Sequence, residues 1–412
     1  MPIDFKQHTL GNGLTVLAEI NDNAHTAAVG FFVKTGARDE TPELMGVSHF
    51  LEHMMFKGTD RRSAEDVNRE FDEIGANYNA FTSHEQTVYY AHVLPEVLPQ
   101  AVDLFTDMLR PALRTEDFDT EKQVILEEIG MYDDRPEWRL QDRLLEEHYA
   151  EHGLGYRVLG TADTVSALSA DQMRTYFNQR YSPDNLIVSA AGQIDFDKLC
   201  ADLESRCGDW SPTDASRVYT DPSEADRRVT MNQANVSRHY LAMLCPGPSA
   251  QDELRYPSKV LADVLGDSDG SRLYWALVDP GLADEADFSF WPHDKAGAFM
   301  AYASCDPDRA EAVEAKLLGT LDGIVGDGFD INEGEVQRAI NKLVTRATLQ
   351  GERPAGRMQA LGAKWMYHGR YVSLDEELDR LLAVKVDDLA DVLKQYHLSP
   401  RTLVTLGPES AS

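Results

Sequence analysis

The residues best suited to chemistry in this chain are His49, Glu52 and His53, in the run His49-Phe50-Leu51-Glu52-His53. On a helix turning about 100° per residue, side chains four apart stand nearly above one another, so both imidazoles face one way with Glu52 on the same side. Two histidines so placed can bind one metal ion. A carboxylate between them can take a proton from a nearby water without joining the coordination sphere.

The chain carries the same H-x-x-E-H spacing a second time, in His148-Tyr149-Ala150-Glu151-His152. There it runs at once into Gly153-Leu154-Gly155, which reads as the end of a helix. His148 and His152 are therefore expected to be solvent-facing or capping residues.

The elements that must position the first motif repeat once along the chain. Ser169-Ala170-Asp171-Gln172-Met173 leads through Tyr181-Ser182-Pro183 into Leu186-Ile187-Val188-Ser189-Ala190-Ala191-Gly192. Near the end, Val386-Asp387-Asp388-Leu389 leads through Ser399-Pro400 into Leu403-Val404-Thr405-Leu406-Gly407. Each reads as a helix, a Ser-Pro break and a buried strand ending at Gly, and the offset of about half the chain implies two homologous lobes. A second pair agrees: Tyr89-Tyr90-Ala91 passes into Pro95 to Leu109, as Ala301-Tyr302-Ala303 passes into Pro307 to Leu321. Short alternating strands such as Leu14 to Ile20 and Ala28 to Lys34, interleaved with longer helices, predict an α+β fold with helices on a largely antiparallel sheet in each lobe. The expected lobes are 1–215, with the metal site, and 216–412, without it. The polar stretch from Ser211 to Glu224 is the expected linker.

Composition bounds the function. At 412 residues and 42% hydrophobic content the chain suits two or three ordinary globular domains, and no apolar run reaches membrane-spanning length. Met1-Pro2-Ile3-Asp4-Phe5-Lys6 lacks the pattern of a signal segment, so the simplest expectation is a cytoplasmic protein. Cys200, Cys207, Cys245 and Cys305 form no C-x-x-C pair and are expected to be small core residues. A net charge of −31 argues against nucleic acid or an anionic membrane as partner. The acidity fits either a soluble surface or an interior attracting basic peptides, and composition does not separate the two.

The neighbourhood Gly46-Val47-Ser48-His49-Phe50-Leu51-Glu52-His53-Met54-Met55-Phe56-Lys57-Gly58-Thr59 resembles the pitrilysin/insulinase family of inverzincin zinc metallopeptidases. It is especially similar to the beta subunit of mitochondrial processing peptidase and its two-lobed bacterial relatives. Gly11-Asn12-Gly13-Leu14-Thr15-Val16, Thr35-Gly36-Ala37-Arg38-Asp39-Glu40, Asn79-Ala80-Phe81-Thr82-Ser83 and Thr87-Val88-Tyr89-Tyr90 extend the similarity.

The resemblance implies a LuxS/MPP-like metallohydrolase fold, one zinc per chain, and a third ligand that is a Glu roughly 75 residues past the motif. Counting 75 positions from His53 reaches Glu128, whereas the same count from His152 reaches Arg227, which cannot ligate zinc. His49, His53 and Glu128 are thus the implied ligands and Glu52 the implied general base. Glu121 lies two helical turns before Glu128 and matches a supporting glutamate of the family, although by type it could equally be a solvated helix carboxylate. Asn79, Ala80 and Phe81 match the strand that pairs with an extended peptide substrate, and Phe81 could equally be a core residue. In the second lobe Lys342 lies near the place of Glu128, so only the first lobe is expected to hold zinc.

Family members also place an Arg and, seven residues on, a Tyr in the second lobe to hold the substrate. Aligning Gly281-Leu282-Ala283 puts Leu277 and Asp284 at those positions, and neither supplies the hydrogen bonds when Asp is ionised. Arg272 and Tyr274 are nearby but wrongly spaced. The implied function is a zinc endopeptidase acting on extended peptides in an enclosed chamber, as a homodimer or as a heterodimer with a related chain that carries the missing pair. The alternatives are a weakly active subunit, a scaffold that keeps the fold without catalysis, or a metal-dependent hydrolase of a non-peptide substrate.

Overall fold

The β-branched and aromatic runs of the sequence form eleven strands among the residues described by this computed structural model, which are 3–222, 225–234 and 236–409. Six build the first sheet: β1 (Asp4–Thr9), β2 (Thr15–Ile20), β3 (Ala27–Val33), β4 (Asn77–Thr82), β5 (Thr87–Val93) and β6 (Leu186–Gly192). Five build the second: β7 (Arg227–Gln233), β8 (His239–Pro246), β9 (Glu285–His293), β10 (Ala296–Cys305) and β11 (Thr402–Pro408).

The strand orders, β1-β2-β6-β3-β5-β4 and β7-β11-β8-β10-β9, are the same once β1 is set aside. Both sheets are antiparallel except for one parallel pair at the corresponding place, β2 with β6 and β7 with β11. Two homologous α+β lobes with mixed sheets are therefore present. The Ser-Pro repeats match as well, with helices Ala170–Arg180 and Val386–Gln395 leading into β6 and β11.

By their contacts, residues 1–130, 156–218 and 349–373 form one compact unit, and residues 131–155, 219–348 and 374–412 form the other. Each unit thus contains a helix from the opposite half of the chain. In the first unit the helix Pro354–His368 covers one face of the sheet, with Met358 packed among Ala28, Phe32, Val88 and Ala191. This approach is close: a Cβ on Gly30 would stand 2.4 Å from Met358 Sδ, and one on Gly362 would stand 2.5 Å from the Phe32 ring. β3 consequently departs from the alternation expected of it and is buried along its whole length, because both its faces are covered. In the second unit the helix Pro136–Tyr149 does the same, laying Leu140, Leu144 and Tyr149 against Ala242, Leu244, Val404 and Leu406.

Residues 211–222 form neither helix nor strand, but the segment is anchored: Arg217 is buried and binds Asp39 through two nitrogens at 2.8 Å. Ser223 and Glu224, the last two residues of the expected linker, lie outside the described residues, as do Met1 and Pro2. Cys207, Cys245 and Cys305 are buried and Cys200 half-buried, all as free thiols. No helix among the described residues is long and apolar enough to cross a membrane.

Candidate metal centre

The motif folds as a helix, Val47–Met55, because its start is fixed from three sides. The Glu40 carboxyl accepts the N–H groups of Gly46 (2.8 Å) and Ser48 (2.7 Å), satisfying donors that a helix start leaves open, and burial pushes it up to about 8 despite these bonds. Gly46 adopts φ +94°, and a Cβ there would stand 2.6 Å from the Leu159 carbonyl oxygen, so glycine is required. Ser48 is buried and shares a 2.7 Å hydrogen bond with the Tyr176 hydroxyl. Val47, Phe50, Leu51, Met54 and Met55 fill the core below, leaving the opposite face to His49, Glu52 and His53.

Glu128 arrives on the helix Thr115–Asp133, which is docked by Phe118 stacking on Phe50 with ring centroids 4.7 Å apart. The buried stripe of that helix reads Phe118, Glu121, Ile125 and Ile129, so one carboxylate is carried into an otherwise apolar seam. Its partners explain how: Glu121 Oε1 lies 2.8 Å from His53 Nδ1, and Oε2 lies 2.5 Å from Lys57 Nζ. Burial pushes the Glu121 carboxyl up, but these two bonds outweigh it and hold the group below the usual carboxylate range.

The Nε2 atoms of both motif histidines converge on Glu128 Oε2, at 3.9 Å from His49 and 3.7 Å from His53. One ligand atom from each of the three residues falls within 4.8 Å of the others. Donors around a tetrahedral zinc with bonds of about 2.0–2.1 Å stand about 3.4 Å apart, so the cluster fits such an ion with small side-chain adjustments. The donor set agrees with the geometry. Burial, with the neighbouring His53, depresses His49 to about 3, so its ring is neutral and has a lone pair to offer. Burial also works to lower His53, but the Glu121 bond and the Glu128 and Glu52 charges hold it above its ordinary value. With Nδ1–H donating to Glu121, His53 is left with Nε2 facing Glu128. The arrangement is a site for a single Zn²⁺ per chain.

Glu52 stands beside this cluster. Burial raises its carboxyl above the usual range and the Glu128 charge adds to that, while the Thr82 hydroxyl and the His53 ring pull it down. Thr82 Oγ1 donates to Glu52 Oε2 at 2.7 Å, a contact not anticipated from the sequence. Its only signal there is the alternation of β4, in which Tyr78, Ala80 and Thr82 share a face. On the other face Phe81 is half-buried against the Phe32 and Met358 cluster, and Asn79 is exposed, its Oδ1 accepting the Ala80 N–H at 2.8 Å. β4 forms the edge of its sheet.

The second H-x-x-E-H builds no such site. The helix carrying it stops at Tyr149, and Ala150 turns to φ +50°, so His148 and His152 do not share a helical face. Both are buried, which corrects the solvent-facing expectation. His148 Nδ1 lies 3.2 Å from Thr402 Oγ1, whereas His152 caps, its Nδ1 accepting the Leu154 N–H at 3.1 Å. Burial, with the Arg227 charge, depresses His148 to about 4.

In the second unit, a cation stands where Glu128 would be. The helix Glu333–Gly351 has the same length as Thr115–Asp133, and matching their first residues puts Arg346, rather than Lys342, at the place of Glu128. Arg346 binds Asp263 at 2.8 Å and Asp267 at 3.2 Å, two carboxylates four apart, and Lys342 pairs with Asp267.

Comparison with known proteins agrees with this geometry. Residues 15–162 match the family described as insulinase (peptidase family M16), and residues 167–343 match the peptidase M16 inactive domain. The chain is 32% identical to an uncharacterized zinc protease of Bacillus subtilis, YmxG, over 98% of each protein. It is 33% identical to an uncharacterized zinc protease of Mycobacterium tuberculosis, Rv2782c, over 98% of this chain and 94% of that one. A protease from Helicobacter pylori shares the fold with TM-score 0.92 and 22% identity, covering 99% of this chain and 100% of that one. A peptidase M16 inactive domain from Pseudomonas fluorescens gives TM-score 0.91 at 16% identity, with 100% and 99% covered.

Proposed function

The chain belongs to the insulinase family, peptidase family M16, and is a zinc metalloendopeptidase; we propose a division of labour among its residues on that premise. His49, His53 and Glu128 hold the metal, and Glu121 fixes the orientation and tautomer of His53 from behind. Zinc, when bound, supplies a Lewis acid for the scissile carbonyl and lowers the pKa of a water to about 7. Glu52 takes the proton of the attacking water and passes it to the leaving amine, a role to which its raised pKa is suited. Asn79, Ala80 and Phe81 present the free edge of β4, to which an extended peptide adds as a further strand.

The observation that carries this reading is the convergence of both Nε2 atoms on one Glu128 oxygen with Glu52 on the same helix face. Zinc content, measured together with cleavage of an unstructured peptide library, tests it. About one zinc per chain with turnover that vanishes in Glu52→Gln is expected. Zinc binding without peptide cleavage under any condition would favour the scaffold instead.

A finer reading rests on the second unit. Leu277 is buried in the core, Asp284 is paired with Arg238, and the Arg272 guanidinium is occupied by Glu335 at 2.8 Å and by Asp330. We propose that this unit supplies no substrate-holding Arg and Tyr, and that full activity calls for a related partner chain that carries them. The homodimer is then the weakly active form.

A further inference from the structure

Thr82 is the last residue of the edge strand β4 and the one whose side chain reaches Glu52. Alternation along the strand lays Tyr78 and Ala80, both half-buried, against the core of this unit, and Thr82 follows on that face. Its hydroxyl has two acceptors in reach. Glu52 Oε2 lies at 2.7 Å, and Thr87 Oγ1 lies at 3.4 Å. Thr87 directs its own proton to the Thr35 carbonyl at 3.0 Å, so it does not compete as a donor for Glu52. The 2.7 Å contact, much shorter than the one to Thr87, is the stronger choice for the Thr82 proton. One oxygen of Glu52 is thereby tied to the strand, and the other is left for a water.

We infer that Thr82 is a positioning residue that fixes the Glu52 carboxylate to the frame of the peptide-binding strand. This rests on the reading of Glu52 as base and β4 as the substrate edge. A peptide paired along β4 and the carboxylate serving its scissile bond are then held by the same six-residue element. Loss of the hydroxyl should free the carboxylate to rotate while leaving the strand edge and the metal ligands intact. Proton transfer, and not peptide binding, is the step that suffers.

The test uses Thr82→Val, which keeps the side-chain shape, and Thr82→Ser, which keeps the hydroxyl. On an unstructured peptide, Thr82→Val should lower kcat by roughly tenfold to a hundredfold, the usual range for losing a hydrogen bond to a charged group, with KM within about twofold and zinc content unchanged. Thr82→Ser should recover most of the loss. Adding Thr82→Val to Glu52→Gln should leave the dissociation constant for the peptide unchanged. In crystals of the zinc-loaded proteins, Glu52 should keep a single rotamer in wild type and Thr82→Ser and lose it in Thr82→Val. Unchanged kcat in Thr82→Val, a raised KM with kcat intact, or loss of zinc would each overturn the proposal. A wild-type chain that turned over no peptide would sink the peptidase reading, and the Glu52 rotamer would still decide this one: an unaltered rotamer in Thr82→Val overturns it.

Discussion

Glu121 Oε1 lies 2.8 Å from Nδ1 of His53, although the two residues are separated by 68 positions in the chain. The bond selects the tautomer that presents Nε2 to Glu128, and Lys57 on the other carboxylate oxygen keeps Glu121 ionised for the task. Glu121→Gln should retain one zinc per chain at saturation but lower zinc affinity by roughly ten- to a hundredfold, the usual cost of losing such a support. Chelator competition measures it. Wild-type affinity in this variant would reduce Glu121 to a packing role.

Glu52→Gln separates base from ligand. The amide keeps the side-chain shape and can no longer accept a proton, so cleavage should fall by about a hundredfold to ten-thousandfold or more with zinc content unaltered. His49→Ala, in contrast, should lose metal and activity together. Metal analysis beside peptide turnover distinguishes the two, and loss of zinc from Glu52→Gln would move Glu52 into the coordination sphere.

The metal centre was legible because its chemistry lies in one helix turn and because Glu128 falls at the family spacing from His53. The contacts that refine it were not. Thr82 meets Glu52 across 30 positions, and nothing in the local pattern of β4 says which element covers its inner face. β3 reads as a half-exposed strand until a helix that begins at Pro354 closes its second face through Gly30 and Gly362. The second H-x-x-E-H illustrates the opposite failure: a spacing is a face only while the helix lasts, and this one ends at Tyr149.

His148 gives a pH prediction. Burial holds its folded pKa near 4 against an ordinary value of 6.5, so between these values the unfolded chain binds the additional proton. The stability it contributes is present above pH 6.5 and is lost as pH falls toward 4, up to about 3 kcal/mol. His148→Gln should flatten this part of the stability profile in denaturant titrations at pH 7 and pH 5. The double change of His148 and His152 should leave zinc content and turnover as they are, while lowering the melting temperature because both rings are buried. Zinc lost in the double variant would refute the assignment of the metal to the first motif.

The occupied side chains of the second unit bear on turnover. Restoring an arginine by Leu277→Arg is not a clean test, since that position is fully buried and a charge there would disrupt the core. The informative experiment supplies the missing donors from outside, by mixing the purified chain with a related chain that lacks zinc ligands but carries the Arg and Tyr. Groups that stabilise charge on a scissile carbonyl are worth on the order of a hundredfold or more in rate, so the isolated chain should turn over a good peptide at least about a hundredfold more slowly than the mixture. Stopped assays with a quenched fluorescent peptide, with size-exclusion analysis to establish the complex, measure both arms. Turnover of order ten per second by the isolated chain would sink the need for a partner and direct the search to substitute donors among its own side chains.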